Sequence, residues 1–128
     1  MNALLLGIHA AGAGPISVEA DGSVSRRFCF SCDFAGFDGH FPGAPILPAV
    51  VQIQMAVAMA GAQSKTPLRL VAVESAKFLA PVQPGQEILV RLRPCEIGGK
   101  PMHDAVLTVA GKTASSFLLQ LAPEGEPA

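Results

Sequence analysis

The longest apolar stretch of the chain covers residues 44–62 and is interrupted by two prolines and two glutamines. From residue 49 onward it consists of good helix formers, and Gly61 stands near its end. The segment is apolar nearly all round, which is typical of a helix surrounded by protein. Its unbroken apolar part is shorter than the roughly 20 residues that span a bilayer. The pattern therefore predicts a buried core helix over 49–62, entered at Pro48, and no membrane span.

On either side of this helix the chain is strand-like. Two short strands are predicted before it, at residues 16–20 and 24–32, joined across Asp21-Gly22, which is a strong hairpin signal. Four runs rich in β-forming residues follow the helix, and short turns with Gly or Pro separate them. Closely linked strands favour antiparallel pairing. The four runs are residues 68–79, 87–96, 102–110 and 113–121.

These elements predict an α+β fold in a single domain over residues 1–128. A helix that is apolar on all sides needs a sheet that curves around it, because a flat sheet covers only one side. A chain of 128 residues has the length of one ordinary domain. The tail, residues 123–128, is rich in Pro, Glu and Gly and is a candidate for disorder.

Composition and charge exclude several classes of function. The net charge is −1, and no cluster of basic residues exceeds the pair Arg26-Arg27, so we expect no nucleic-acid partner. The opening residues lack a basic segment, so a secretory signal fits poorly and we expect a cytoplasmic protein. Cys29 and Cys32 have metal-like spacing but would point to opposite faces of a strand. With Cys95 as the third cysteine, unpaired thiols are expected and no metal site.

The loop before the helix holds the chemistry-bearing residue. Residues 33–48 contain three glycines and three prolines, which prevent regular structure and let the backbone approach a ligand closely. Phenylalanines crowd around His40, and a histidine suits proton transfer near neutral pH. His9 and His103 have no such context and are expected to be bystanders.

Two ordered motifs resemble those of one enzyme family. GHFPGAPILPAVVQIQMA (residues 39–56) is similar to the signature of the β-hydroxyacyl-acyl-carrier-protein dehydratases of the FabA/FabZ type. KFLAPVQPGQEI (residues 77–88) looks like a second segment of the same family. The resemblance covers roughly residues 30–121. It implies a hot-dog fold, in which an antiparallel sheet wraps around one long helix, and the proteins are usually dimers.

The resemblance also implies site residues. His40 would take the α-proton of a 3-hydroxyacyl thioester, and backbone N–H groups of Gly43 or of the first helical turn would bind the thioester oxygen. The dehydration needs no metal or organic cofactor of its own. The predicted substrate-binding residues are Phe37, Phe41, Gly43, Pro48, Ala49 and Val50.

The chain departs from the family at its acid. The family's catalytic carboxylate lies six residues after the helix-opening proline, on the partner subunit's helix, and this position is Gln54. A carboxamide forms hydrogen bonds but does not readily give up a proton. Gln54 is therefore predicted to position a hydroxyl group or a water. Asp33, Asp38 and Glu74 are alternative acids, and solvated carboxylates remain the simpler interpretation of all three.

Gln52 stands two positions from Gln54, on another face of the helix. One of the two must be buried if the helix is wrapped, and a buried glutamine needs hydrogen-bond partners. We expect those partners in the active-site cavity. Ala49 replaces the glycine that usually opens the family's helix.

Three functions remain open from the sequence. The chain could be a dehydratase or hydratase, a thioesterase on the same fold, or an acyl-binding subunit whose paralogue supplies the acid. The expected partners are an acyl carrier protein or a CoA thioester and a second subunit, as a homodimer or as a heterodimer with a paralogue. The scattered cationic residues that could dock an acidic carrier are Arg26, Arg27, Lys77, Arg91 and Arg93.

Overall fold

The computed structural model describes residues 3–31, 33–34 and 46–125 of the chain. Within these ranges it contains two helices and six strands. Their bounds are α1 (Ala3–Ala11), β1 (Gly12–Val18), β2 (Val24–Cys29), α2 (Ala49–Gln63), β3 (Leu68–Phe78), β4 (Glu87–Ile97), β5 (Lys100–Val109) and β6 (Lys112–Pro123).

The six strands form one sheet in the order β1-β2-β4-β5-β6-β3. Every neighbouring pair is antiparallel, as the close spacing of the strands predicted. The β4–β5 connection is a tight turn at Gly98 and Gly99, which both have positive φ. The β5–β6 turn centres on Ala110 and Gly111, which both have positive φ.

The sheet packs one face against α2, so the predicted α+β layout of a sheet around one long helix is confirmed. Alternate residues of β4 are buried, while those between them include exposed arginines. The buried side chains of α2 and of the sheet form one hydrophobic cluster. Its largest members with at most 2% exposure include Phe28, Met55, Met59, Leu107 and Phe117.

Helix α2 begins directly after Pro48, whose φ of −63° and ψ of 152° are extended. It buries the face formed by Val51, Gln52, Met55, Ala56, Met59 and Ala60. The opposite face is partly open in the single chain, contrary to the expectation of a helix covered on all sides. The sheet curves around only part of the helix, which leaves the remainder for another surface to cover.

Helix α1 and the start of β1 were not predicted from the sequence. Predicted strand 16–20 in fact runs from Gly12 to Val18, and predicted strand 24–32 ends at Cys29. α1 is nine residues long, too short to show a clear period of apolar positions. Tertiary contacts hold it in place, because Ile8 is fully buried and α1 packs against α2. No helix among the described residues is long and apolar enough to cross a membrane.

Candidate functional site

Part of the predicted site lies outside the described residues. This holds for His40, for Phe37, Phe41 and Gly43, and for the alternative acid Asp38. The roles of these residues stay predictions. The structure places Pro48, Ala49, Val50 and Gln54, together with the alternative acids Asp33 and Glu74.

An apolar cavity of about 340 Å³ opens at the start of α2, where residues 46–48 form the end of the loop predicted over 33–48. Phe78 and Leu79 stand at this cavity with 44% and 65% of their surface exposed. Two of the predicted substrate-binding residues, Pro48 and Ala49, line it, whereas Val50 does not. The cavity is lined by Ile46, Leu47, Pro48, Ala49, Gln52, Phe78, Leu79, Ala80 and Pro81.

The first turn of α2 presents backbone donors beside this cavity. The N–H groups of Val51 and Gln52 both donate to the carbonyl oxygen of Pro48. The earlier N–H groups, of Ala49 and Val50, have no acceptor within an α-helix. The side chain of Pro48 provides no capping hydrogen bond. Such a helix start can bind an oxygen that carries partial negative charge.

Gln52 is the buried glutamine of the pair, with 4% of its surface exposed. Its Nε2 donates to the carbonyl oxygen of Leu47 at 3.0 Å, and its Oε1 accepts a 2.7 Å hydrogen bond from the hydroxyl group of Ser115. Ser115 is itself fully buried. Gln52 and its partner Leu47 both line the 340 Å³ cavity at the start of α2, whereas Ser115 is a buried residue of β6. The partners of Gln52 are the protein backbone before α2 and a β6 side chain, so Gln52 ties the segment before α2 to the sheet.

Gln54 lies on the open face of α2. With Val50, Val57, Ala58 and Gly61 it forms one stripe, which we call the open stripe. Val50 is 58% exposed, and a Cβ added at Gly61 would meet no atom within 4 Å. The open stripe is apolar apart from Gln54, and an apolar surface of this kind suits contact with a second protein surface.

A second cavity, of about 520 Å³, lies over the open stripe between α1, α2 and the start of β3. It brings Gln54 together with His9 of α1, which the sequence analysis had treated as a bystander. The sequence carries no signal for His9, because α1 was not predicted and only the fold brings this helix to the cavity. The lining residues are His9, Gln54, Val57, Ala58, Gly61, Ala62, Pro67, Leu68, Arg69, Leu70 and Glu124.

The two described alternative acids, Asp33 and Glu74, do not line the cavity of Gln54. Glu74 was considered as an inward-facing carboxylate by strand parity, but it is exposed. β3 contains register shifts between Leu70 and Ala72 and between Glu74 and Lys77, and these bulges break the parity. Asp33 is exposed and lines a different cavity, beside Cys29. The described carboxylate that lines the Gln54 cavity is Glu124.

The cationic residues of the outer sheet face are mostly engaged. Three exposed ion pairs link Arg27 to Glu87, Arg91 to Glu19 and Arg93 to Asp104, at 3.1, 2.9 and 3.2 Å. Arg26 donates to the carbonyl oxygen of Gly14, and its guanidinium carbon lies 5.5 Å from the centre of the Phe28 ring. These contacts leave the outer face with mixed charge and no strong basic patch.

The third histidine, His103, lies apart from Gln54. It lines a cavity of about 250 Å³ near the C-terminal end of α2. Burial lowers the pKa of its imidazole, because desolvation disfavours the charged form. Its buried Nδ1 has no hydrogen-bond partner in the described part of the chain.

The two described cysteines, Cys29 and Cys95, form no disulfide bond. Cys29 is exposed and Cys95 is half-buried, and both are free thiols. Across residues 3–31, 33–34 and 46–125 no three His, Cys, Asp or Glu side chains cluster as metal ligands would. Cys32 lies outside these ranges.

A comparison with known protein families assigns the chain to one of them. Residues 17–116 match the model of the ApeI-like family, described as ApeI dehydratase. The chain belongs to this family. This membership confirms the resemblance to FabZ-type dehydratases and the hot-dog arrangement of the sheet and α2.

Individual relatives agree with this assignment. The ApeI-like chain is 38% identical over 82 residues to a 3-hydroxyacyl-[acyl-carrier-protein] dehydratase FabZ of Novosphingobium aromaticivorans, in an alignment covering 52% of each protein. The chain thus spans about half the length of that curated relative.

Solved structures share the fold over most of the chain. A chain of the dehydratase heterocomplex ApeI:P from Xenorhabdus doucetiae superposes with a TM-score of 0.69 at 25% identity, covering 84% of this chain and 94% of that one. An uncharacterised protein of Erwinia carotovora subsp. atroseptica gives 0.67 at 25% identity, covering 91% and 98%.

Proposed function

We propose that the chain acts as a dehydratase or hydratase of 3-hydroxyacyl thioesters, with His40 as the base. The single observation that carries this proposal is the match of residues 17–116 to the ApeI dehydratase family. The structure supports it by supplying an apolar cavity at residues 46–48, beside a helix start whose first N–H groups have no acceptor within the helix.

The two ends of the acyl thioester suit different parts of this region. Pockets that bind small molecules are mostly apolar, with a few polar groups that fix orientation, and typically measure about 300–1,000 Å³. The 340 Å³ cavity has this character. We place the acyl chain against Pro48, Ala49 and Phe78, and the thioester oxygen at the N–H groups of Ala49 and Val50, where a developing negative charge is stabilised.

The reaction needs a base that acts at the α carbon of the substrate and an acid that acts at the hydroxyl group on the neighbouring β carbon. His40 would remove the α-proton, the C–O bond to the 3-hydroxyl group would break, and an acid would protonate that group so that it leaves as water. Gln54 would hold the hydroxyl group through its carboxamide, which both donates and accepts hydrogen bonds. General acid–base assistance is typically worth about 10²–10⁴ in rate.

We further propose that two chains together form the site. β3 is an edge strand of the sheet, and edge strands present unpaired N–H and C=O groups that a second strand can bind. The open stripe beside it is apolar and carries Gln54. A second copy across β3 would cover the stripe and bring its own His40 loop to Gln54.

An acyl carrier protein or coenzyme A would deliver the substrate. Arg27, Arg91 and Arg93 already pair with carboxylates, so an acidic carrier would have to displace those pairs. Lys77 forms no ion pair with a described residue and directly precedes Phe78 at the apolar cavity. Of the five predicted cationic residues, we favour Lys77 for a contact with the carrier.

A second candidate is a subunit of a heterodimer whose paralogue supplies the acid. Gln54 in place of a carboxylate favours it, and the similar Xenorhabdus doucetiae structure is described as a dehydratase heterocomplex. In that case the site built around Gln54 would be silent.

The first experiment follows the ultraviolet absorbance of a 2-enoyl thioester incubated with the purified chain alone. We expect hydration that vanishes in His40→Ala. An inactive chain whose Gln54→Glu variant is active would point to the heterodimer. A chain inactive in both forms would contradict the dehydratase function.

A further inference from the structure

His9 and Gln54 line one cavity over the open stripe, although they lie 45 positions apart in the sequence. The imidazole of His9 is exposed there and belongs to α1, while Gln54 projects from α2. This cavity therefore holds a group that can donate a proton beside the residue that cannot.

Helix α1, which carries His9, packs against α2 and against the ring of Phe34. A Cβ added at Gly7 would lie 2.6 Å from the Phe34 ring, so α1 runs in close contact with that ring. Phe34 packs on Phe30 with ring centres 4.4 Å apart, and the carbonyl oxygen of Phe30 accepts a hydrogen bond from Gly85.

The connection between β3 and β4, which contains Gly85 and Val82, also contacts the segment just before α2. The N–H group of Leu47, just before α2, donates to the carbonyl oxygen of Val82 at 2.7 Å. The connection between β3 and β4 thus bonds both to Phe30, on which Phe34 packs, and to the segment before α2, where Gln54 lies in the second turn.

Glu124, the carboxylate in the same cavity, lies at the other end. Its N–H group donates to the carbonyl oxygen of Pro67, four residues beyond the end of α2. Gln54 and Gln63 are nine positions apart, which corresponds to roughly 13 Å along the helix. His9 is therefore the better-placed partner of Gln54.

Resting on the function proposed above, we propose that His9 is the general acid that the carboxylate provides elsewhere in the family. The base takes the α-proton, a double bond forms between the α and β carbons, and the C–O bond breaks. The imidazolium of His9 gives its proton to the departing hydroxyl group, which leaves as water, while Gln54 orients that group. Both histidines return to their starting forms by exchange with solvent. His9 lies in the last turn of α1, where cationic side chains are favoured.

The test measures kcat and its pH dependence for the homodimer and its variants. His9→Gln should lower kcat by about 10²–10⁴-fold. The fall in rate at alkaline pH, where the wild-type acid loses its proton, should disappear from its pH profile. Adding Gln54→Glu to His9→Gln should restore the rate, because a carboxylic acid then occupies the family's position. His103→Gln, in a separate cavity, should leave kcat within about twofold.

Three results would overturn the role of His9. In the first, His9→Gln keeps the wild-type rate and pH profile. In the second, Glu124→Gln lowers the rate and His9→Gln does not. In the third, the wild type is inactive and only Gln54→Glu is active. The last result would still support the dehydratase function. If neither the wild type nor Gln54→Glu turns over any 3-hydroxyacyl or 2-enoyl thioester, the proposed function itself fails. Circular dichroism of His9→Gln separates a lost proton donor from a lost fold.

Discussion

The two faces of α2 carry one glutamine each, and the two side chains have different surroundings. Gln52 on the closed face uses both ends of its amide, at 2.7 and 3.0 Å, on buried protein groups. Gln54 on the open face borders a 520 Å³ cavity. The comparison shows that residue type and position in the helix do not by themselves identify a reactive residue. What surrounds the side chain decides whether its hydrogen bonds hold the fold or remain available to a substrate.

The largest expected effect on stability is that of removing the buried glutamine. Gln52→Leu leaves the Leu47 carbonyl group and the Ser115 hydroxyl group without their partner, and each unsatisfied buried group costs about 1–3 kcal/mol. We expect a loss of about 3 kcal/mol in the free energy of unfolding. Gln54→Leu should change it by less than about 0.5 kcal/mol. Urea denaturation measures both, and equal losses would erase the distinction between the two faces.

A smaller loss is expected when the hydroxyl partner of Gln52 is removed. Ser115→Ala takes away one buried hydrogen bond and should destabilise by about 1–2 kcal/mol. The double variant with Gln52→Leu should lose less stability than the two single variants together, because both substitutions remove the same hydrogen bond. Strict additivity in a double-mutant cycle would show that Gln52 and Ser115 do not act together.

Self-association tests whether a second copy covers the open stripe. Val50→Asp introduces a charge into that apolar surface and should weaken dimerisation by about 1–2 kcal/mol, or roughly tenfold in Kd. Val18→Asp is the matched control, because Val18 is 64% exposed on β1, away from α2. Analytical ultracentrifugation distinguishes them. An unchanged Kd for Val50→Asp, or the same weakening for Val18→Asp, would place the interface elsewhere.

The smallest expected effect is a pH dependence of stability that belongs to His103. Burial holds its folded-state pKa below the ordinary value of 6.5. As the pH falls below about 6.5 the unfolded chain binds this proton before the folded chain does, so stability present above that pH is progressively lost. Thermal unfolding between pH 7.5 and 5 should show this decline, and His103→Gln should flatten it.

The strands after the helix were predictable because their signals are local. β-forming runs bounded by Gly-containing turns gave β4, β5 and β6 to within a few residues, and Pro48 marked the start of α2. α1 was missed because nine residues carry too little periodicity, and contacts with Phe34 and α2 hold it. The parity argument for Glu74 failed because β-bulges in β3 depend on pairing with β6 and have no clear sequence signal.

The features of the candidate site also fall into those that the sequence predicts and those that depend on the tertiary structure. The sequence by itself determined the family, through two motifs in the right order, and the substitution of Gln54 at the acid position. Only the tertiary structure decided that Gln52 is buried and bonded to the segment before α2 and to β6, and that Gln54 and His9 line one open cavity. The physical reason is range. A motif records which residues follow one another, whereas burial and hydrogen bonding depend on side chains that the fold brings together from distant parts of the chain.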